Sequence, residues 1–443
     1  MRINRLLRVK DLETKVLFKN TSWVLAANIL RAALLLLKGI IIARGLGVEL
    51  YGTFNIIVAF VGLIHQFFSF PISSTIIKHG AAYLADKDMG KLVAIIKSGL
   101  LALFSLAVLS TLCVIALTFV MYDVFLSEAG LEWYILLYAV VSATMFVDEM
   151  SSTLFRLFYK FKQNSIIILV NVILELGIVG TVVYMFPSNF KYFFIAILAS
   201  RLLSSIILNS SALLLLKSKI VGAWNTSVTE IREDWKQLIN FTLANSGSRA
   251  VKTLINNGDV LLLAAVGGPV PVAFYNIAKK LAQSILILVD PLTNTIFPQL
   301  SLLIAKNRYR EIKTMIRKVT GVFFVSSALF FVGVYLLRER IILLTYGAEY
   351  LNASKPFIYL VINAIVGAVL FWNLPLILSL GMARFRFIIN IASLLVGGLV
   401  AYFLIDSMGA EGTAIGLLVA NGIVVFTFSG VAYSIIDKRI KNE

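Results

Sequence analysis

The chain has 443 residues, of which 59% are hydrophobic and only 14% are charged, and its mean hydropathy is +0.91. This composition excludes an ordinary soluble protein, which is about 45–50% apolar and about 25% charged. The 31 Phe residues exclude a disordered chain. A net charge of +17 in so apolar a chain indicates either a membrane protein with sorted charges or a nucleic-acid binder.

Long apolar runs predict membrane-spanning helices, because a helix needs about 20 mostly apolar residues to cross the hydrocarbon core. Twelve such runs follow one another along the chain. They are 20–43, 53–77, 92–121, 131–155, 164–186, 191–216, 239–264, 272–301, 316–337, 356–379, 387–406 and 412–436. We therefore predict an all-α integral membrane protein with twelve transmembrane helices.

The basic residues are sorted between the two sides of these spans. When the first six residues of each span are counted with the loop before it, 28 of the 40 Lys and Arg residues lie in the N-terminus, in the loops that follow even-numbered spans or in the C-terminus, and only 5 lie in the other loops. The positive-inside rule then places both termini on the cytoplasmic side of a cell membrane. Because the basic residues are scattered among loops that flank the membrane, nucleic acid is excluded as a partner.

The span pattern also predicts the domain organisation. The basic segment 1–19 is predicted to lie on the membrane as an amphipathic lead-in; a signal peptide is the alternative, but the apolar run that follows has the length of a full span. In the longest connection, Ser227 and Glu230 form a capping-box pattern that predicts a short interfacial helix. The remaining parts are an N-lobe, a cytoplasmic linker, a C-lobe and a cytoplasmic tail, predicted at 20–217, 218–238, 239–436 and 437–443.

The two halves resemble each other at an offset of about 221 residues. Residues 46–55 correspond to 267–276, and residues 70–75 correspond to 290–295. Each match is weak alone, but their common order and offset predict an internal repeat. Because each half has six spans, both halves enter the membrane from the same side, and we expect two pseudo-symmetric lobes with a substrate site between them near the midplane.

Polar residues in the seventh span follow the spacing of one helix face. Asn245, Arg249, Lys252, Asn256 and Asp259 are separated by 4, 3, 4 and 3 residues. Polar contacts between packed helices would explain the amides, but they explain unmatched guanidinium and ammonium groups poorly. The repeat maps part of this stripe onto the first span, and the eighth span carries a similar one; these add Asn28, Arg31, Lys38, Lys280 and Asp290.

Charged residues within the spans indicate what crosses the membrane. Each costs at least a few kcal/mol if it faces lipid at the bilayer centre, so their number predicts a polar interior. Away from the span ends (the first six residues and the last residue of each run), seven are basic and five are acidic: Arg31, Lys38, Arg201, Arg249, Lys252, Lys279 and Lys280, against Asp148, Glu149, Glu175, Asp259 and Asp290. The basic excess favours an anionic substrate, and the fork of Arg suits phosphate.

The acids have two open interpretations: they neutralise nearby cations, or they carry a coupling ion or proton. Asp259 lies about two helical turns from Lys252, so the two form a candidate structural pair, whereas Glu175 is the more isolated candidate for protonation. We find no P-loop, no zinc motif and no catalytic constellation, which predicts a protein that is not an enzyme and has no cofactor or bound metal. Cys113 is the only cysteine, so an intrachain disulfide is excluded.

Several motifs resemble those of the polysaccharide (O-antigen) flippases of the MOP superfamily, which also contains MATE exporters and lipid II flippases. They are Ala-Arg-Gly-Leu-Gly-Val-Glu-Leu-Tyr-Gly at 43–52, Asn-Gly-Asp at 257–259, Ala-Phe-Tyr-Asn-Ile-Ala-Lys at 273–279 and Phe-Pro-Gln-Leu-Ser at 297–301. The resemblance implies a MATE-like fold and movement of an isoprenoid-pyrophosphate-linked oligosaccharide across the membrane by alternating access. It also implies a cationic cavity lined by spans 1, 2, 7 and 8, and coupling to an ion gradient or membrane potential.

Within that family, the residues lead to a specific hypothesis. Arg31, Arg249 and Lys252 hold the pyrophosphate, and Lys38, Lys280 and Arg201 extend the cationic surface. Polar contacts to the sugars come from Asn28, Asn245 and Asn256, while Asp259, Glu175 and Asp290 are the candidates for ion or proton coupling. The alternatives are a cation-coupled MATE-type multidrug exporter and a non-transporting scaffold of a glycan-assembly complex. Glycan polymerases and glycosyltransferases are the protein partners that this function implies.

Overall fold

The structure is a computed structural model that describes residues 26–125, 131–220, 226–286 and 289–441. Within these ranges, some side chains are outside the description, namely those of 121–125, 244–253, 255–256, 290–291, 294 and 383. The predicted amphipathic segment 1–19 lies outside the described residues, and so do the side chains of Asn245, Arg249, Lys252, Asn256 and Asp290.

The described chain is helical, with no β-strand in these ranges. The first eight α-helices are α1 Ala26–Leu46, α2 Val48–Phe67, α3 Ile72–Ala85, α4 Met89–Phe125, α5 Glu132–Ser142, α6 Thr144–Leu157, α7 Phe161–Met185 and α8 Phe190–Lys219. The next eight are α9 Trp235–Gly267, α10 Pro269–Leu286, α11 Asp290–Ala305, α12 Tyr309–Thr345, α13 Ser354–Val369, α14 Asn373–Ser379, α15 Ala383–Met408 and α16 Ala410–Lys441. Two short 3-10 helices cover Val228–Ile231 and Ala348–Ala353.

Each predicted span corresponds to one helix or to two consecutive helices. The second span, predicted as one run over 53–77, is instead divided between α2 and α3 at residues 68–71. Pro71 explains the break, because proline has no N–H to donate within a helix and disfavours helical backbone at the preceding residue. The short helix predicted in the linker is present as Val228–Ile231. At its start, the Ser227 hydroxyl oxygen accepts a hydrogen bond of 3.3 Å from the Thr229 backbone N–H.

Ten helices in the described part of the chain are long and apolar enough to cross a membrane. The seventh and eighth predicted spans contribute only the shorter apolar stretches Asn257–Gly267 and Thr295–Ala305. Both spans contain the predicted polar stripes and residues outside the description. The all-α membrane architecture is therefore confirmed, whereas the count of twelve remains a prediction.

The chain separates into two compact units. The first comprises Met1–Gly45 and Val61–Ala250, and the second comprises Leu46–Phe60 and Val251–Glu443. Each has its own apolar core: in the first, Leu92, Ile96, Phe146, Met150 and Leu154 are buried together, and in the second, Leu300, Ile312, Trp372, Leu376 and Phe428. The lobe boundaries predicted at 217 and 239 remain a prediction.

Within the first unit, the end of the linker is fixed against the helices that precede it. Ile231 is buried in the core of this unit. The Tyr83 hydroxyl donates a hydrogen bond of 2.7 Å to the Asp234 carboxylate, and Lys91 lies 3.5 Å from the same group. These contacts hold the Asp234 pKa below its ordinary value, chiefly through the Tyr83 hydrogen bond.

We expect Asp234→Asn to lower the melting temperature of the purified protein by a few degrees at pH 7. Because the folded-state pKa is depressed, the stabilisation is complete above the unfolded-state pKa, which is about 3.9 for Asp, and is lost as pH falls through the folded value. The melting difference between wild type and variant should therefore shrink on acidification. Asp86→Asn, at an exposed site in the loop that follows α3, is the control; an equal effect of both substitutions would contradict this explanation.

Within the second unit, α15 and α16 pack at very short range through small residues. A Cβ atom added to Gly397 would lie 2.5 Å from the Ala420 Cβ and 2.7 Å from the Gly416 carbonyl oxygen. A Cβ added to the neighbouring Gly398 would meet no atom within 4 Å. Small residues allow this approach, which is a common way for membrane helices to gain van der Waals contact.

Gly397→Ala should therefore destabilise the protein by about 1–3 kcal/mol, the usual cost of overpacking. Gly398→Ala, one residue away on the same helix, should be neutral or stabilise by up to about 1 kcal/mol, because Ala is the better helix former. Thermal unfolding of both variants in detergent separates the two effects. Equal melting temperatures would show that the α15–α16 contact does not limit stability.

Candidate functional site

The first unit contains an ion pair between α1 and α7. The Lys38 ammonium lies 2.8 Å from the Glu175 carboxylate, and both side chains are mostly buried. The expectation that Glu175 is isolated is therefore wrong. The two residues are 137 positions apart, and the helical periodicity of either span contains no information about which helix faces it.

A second ion pair of this unit joins α6 and α8. The Arg201 guanidinium donates to the Asp148 carboxylate at 2.8 Å. Asp148 also accepts hydrogen bonds from the Ser205 hydroxyl at 2.7 Å and the Asn209 amide at 3.1 Å. The charge of Arg201 is thus matched by a well-satisfied carboxylate, as expected for charged groups away from water.

The N-terminal turns of α1 differ from the part of the helix that carries Lys38. Asn28 and Arg31 are both exposed at the protein surface. Arg31 forms no ion pair with any acid that the structure describes. Its guanidinium is therefore available to a ligand, whereas the ammonium of Lys38 is already compensated.

The second unit has a charged cluster between α9 and α10. The Asp259 carboxylate lies 2.6 Å from the Lys279 ammonium and also accepts a hydrogen bond from the Tyr275 hydroxyl. Lys279 is thus an observed partner of Asp259, and a pairing with Lys252 stays a prediction because the Lys252 side chain lies outside the description. The carboxylate has the cation and the hydroxyl donor that a buried acid requires.

The neighbouring lysine, Lys280, has a different environment. Its ammonium donates to the Tyr51 hydroxyl at 2.9 Å and lies 5.2 Å from the centre of that ring. Tyr51 is fully buried and packs edge-on against Tyr350. The Tyr346 hydroxyl is also buried, without a hydrogen-bond partner in the described structure. No described acid pairs with Lys280.

Sequence reasoning missed this tyrosine cluster. Tyr51 stands inside the motif 43–52 that supports the family resemblance, but Tyr346 and Tyr350 are about 300 residues further along the chain. Nothing in their local sequence distinguishes them from interfacial aromatic residues, which are common at helix ends. Only the folded second unit brings their hydroxyl-bearing rings beside Tyr51.

For the rest of the predicted site, the structure describes the helical backbone but not the side chains. Residues 245–256 are helical throughout, so the predicted stripe of Asn245, Arg249, Lys252 and Asn256 follows one helix face. The side chains of these four residues and of Asp290 lie outside the description. In the described part of the chain, no group of three His, Cys, Asp or Glu side chains is placed to hold a metal ion.

Three solved structures have a similar fold. They are an inward-facing multidrug-resistance MATE family transporter of the MOP superfamily, the lipid II flippase MurJ in an inward closed conformation, and the Vibrio cholerae MATE transporter VcmN in a bent form. Their TM-scores are 0.69, 0.67 and 0.57, at 13%, 15% and 16% identity. The alignments cover 93%, 91% and 96% of this chain and 96%, 86% and 97% of the other chains. The MATE/MOP-like fold is thus confirmed.

Sequence comparison identifies the family. No curated protein matches the chain. The family model described as polysaccharide biosynthesis protein matches residues 17–303, which is well over half of the chain. The resemblance seen in the motifs is confirmed by this match, and the chain belongs to the polysaccharide biosynthesis protein family.

Proposed function

We propose that this protein is a flippase that moves an isoprenoid-pyrophosphate-linked oligosaccharide across the cell membrane by alternating access around a cationic interior. Membership of the polysaccharide biosynthesis family supports a glycan-related substrate. The fold similarity to a lipid II flippase supports a mechanism that carries a lipid-linked head group. It acts as a transporter rather than an enzyme, without a cofactor.

The observation that carries this proposal is the uneven pairing of the interior charges. Asp148, Glu175 and Asp259 are each compensated by a basic residue within the same unit. Arg31 and Lys280 have no acidic partner in the described part of the chain. The Lys280 ammonium is partly removed from water, and an ammonium buried without a counter-charge costs several kcal/mol, whereas Arg31 is exposed and does not bear this cost. An anionic substrate supplies that counter-charge while it passes.

The pairing also refines the roles of the candidate residues. Lys38 and Arg201 each hold their own carboxylate, so they contribute to a phosphate site only if those ion pairs open. We assign the pyrophosphate to Arg31 and Lys280, together with Arg249 and Lys252 on the α9 stripe. The amides of Asn28, Asn245 and Asn256 contact the sugars, because amides both donate and accept hydrogen bonds.

The MATE-type multidrug exporter is the second candidate, since a MATE transporter has a similar fold. Binding a cationic drug needs an available interior carboxylate. The three acids whose partners are described are already occupied by Lys or Arg. Their occupation favours the anionic substrate over the cationic one.

The cellular setting follows from this function. The protein lies in the cell membrane with both termini in the cytoplasm, as the distribution of basic residues predicts. Its substrate reaches it through the bilayer. Glycan polymerases and glycosyltransferases, which act before or after translocation, are the protein partners we infer.

A reconstitution experiment tests the function directly. Purified protein in liposomes is given a fluorescent lipid-linked oligosaccharide, and its transfer between leaflets is followed by a membrane-impermeant quencher. A flippase transfers the lipid at a rate proportional to protein content. Transport of cationic dyes without lipid transfer would favour the multidrug exporter, and the absence of both activities in correctly folded protein would favour a scaffold.

Lys280→Gln should slow lipid transfer at least about tenfold, since charge-assisted hydrogen bonds contribute about 1.5–3 kcal/mol. Lys280→Arg keeps the positive charge and should retain most of the activity. Lys219→Gln, at an exposed lysine of the first unit, controls for a general loss of charge. Wild-type transfer by a folded Lys280→Gln variant would remove Lys280 from the substrate site.

Glu175 and Asp259 can be compared as coupling groups by imposing a pH gradient across the liposomes. Protonation of either acid removes its attraction for the paired lysine and frees that cation. If Glu175 carries the proton, Glu175→Gln should abolish stimulation by the gradient and keep basal transfer, whereas Asp259→Asn should still respond. The reverse pattern would assign coupling to Asp259, and unchanged stimulation in both variants would contradict coupling through either acid.

A further inference from the structure

An open groove of about 580 Å³ lies in the first unit, where the beginning of α9 packs against α3. It is lined by Lys78, Glu233, Lys236, Gln237, Asn240 and Phe241. None of these residues belongs to the interior stripe. Lys78 directly follows the second span, and Glu233, Lys236 and Gln237 lie in the predicted linker. The charge pattern predicts that both segments lie on the cytoplasmic side of the membrane.

The two helices are fixed together along this groove. The Thr75 and Thr242 hydroxyls are 2.7 Å apart. The Lys78 ammonium lies 4.1 Å from the centre of the Phe241 ring, and the edge of the same ring meets His79. With the Tyr83–Asp234 hydrogen bond at the other end, these contacts make the groove a preformed feature.

The beginning of α9 presents two different exposed faces. Trp235, Ile239 and Leu243 recur every four residues, with exposures of 45%, 53% and 56%. Lys236, Gln237 and Asn240 form the adjacent polar face, which is also exposed. At 3.6 residues per turn, Lys236 lies at the border between these two faces.

The apolar face identifies where the membrane begins. An exposed Trp followed by two exposed aliphatic residues at helical spacing is typical of a helix that enters the bilayer at its interface. The polar groove is therefore next to lipid rather than remote from it. Its basic residues are Lys78 and Lys236, and neither pairs with an acid that the structure describes.

We propose that this groove binds the phosphate or pyrophosphate head group of a membrane lipid whose hydrocarbon chain lies in the bilayer beside Trp235, Ile239 and Leu243. The ammonium groups of Lys78 and Lys236 bind the anion as point charges. The side-chain amides of Gln237 and Asn240 donate hydrogen bonds to its oxygens. Basic pockets between transmembrane helices on the cytoplasmic side bind lipid head groups in this way.

Glu233 sets the strength of this binding. Its carboxylate repels the anion and leaves the groove a net charge of +1, with two lysines against one acid. Such a site holds a lipid head group briefly and releases it again. That this lipid is the transported one, captured here before it enters the interior, rests on the proposed function, whereas head-group binding itself does not.

The experiment uses the full chain in phosphatidylcholine nanodiscs with a local fluorescent reporter. Cys113 is the only cysteine, so Cys113→Ser with Ile239→Cys places one bimane label beside the groove and away from the interior stripe. Three probes distinguish a lipid head group from a free anion and from a hydrocarbon chain alone. They are farnesyl pyrophosphate, inorganic pyrophosphate and farnesol. We expect a saturable response to farnesyl pyrophosphate, a much weaker one to inorganic pyrophosphate and none to farnesol.

Charge variants test the sign of the interaction. Lys236→Gln should raise the Kd for farnesyl pyrophosphate about fivefold, and Lys78→Gln with Lys236→Gln about 25-fold, as expected for about 1 kcal/mol per basic residue at a membrane surface. Glu233→Gln should tighten binding by up to about fivefold, which a folding defect would not do. Lys219→Gln should leave the Kd unchanged.

Unchanged Kd values in the double lysine variant and in Glu233→Gln would overturn the site. Equal affinity for inorganic and farnesyl pyrophosphate would overturn the assignment to a lipid. Lipid transfer in liposomes is measured separately: in the double variant, half-maximal transfer should need more substrate, while the maximal rate is retained. If the wild type binds the probe but transfers no lipid, the proposed function fails and the head-group site stands.

Discussion

The cost of an unmatched charge inside a membrane is the constraint on which this structure depends. A charged side chain in a low-dielectric interior is tolerated when an opposite charge and hydrogen-bond donors or acceptors surround it. Lys38 with Glu175, Arg201 with Asp148, and Lys279 with Asp259 satisfy that requirement within single units. These pairs join α1 to α7, α6 to α8 and α9 to α10. They are part of what fixes each helix against its neighbour.

Much of the fold could be predicted from the sequence, because the length and the hydropathy of an apolar run are local properties of the chain. The apolar runs correspond to helices, and Ser227 is followed by the short helix that its capping pattern predicts. The break between α2 and α3 also had a local signal in Pro71. The apolar run continues on both sides of the proline, however, and so hides the missing hydrogen-bond donor in a hydropathy pattern.

The site was less predictable, because pairing is a property of helix–helix contacts and not of one helix. Their positions within the predicted spans identify Lys38, Glu175 and Asp259 as interior residues. These positions do not show that Lys38 faces Glu175, or that Asp259 faces Lys279 on the next helix. The contact between Lys280 and Tyr51 was harder still to predict. Tyr51 precedes Lys280 by 229 residues and provides a hydroxyl instead of an acid.

Lys279 and Lys280 show how neighbouring lysines of one helix differ in whether their charge is compensated. They are adjacent on α10, so about 100° of helical rotation separates them. Lys279 lies against the Asp259 carboxylate, which compensates its charge, and Lys280 lies against the Tyr51 hydroxyl, which does not. If every interior cation were left unpaired, the protein would be costly to fold and would release an anion slowly. Of the five predicted interior cations whose side chains the structure describes, Lys38, Arg201 and Lys279 are compensated and Arg31 and Lys280 are not. In the proposed function, this balance lets the interior bind a pyrophosphate firmly enough to take it from water and weakly enough to release it.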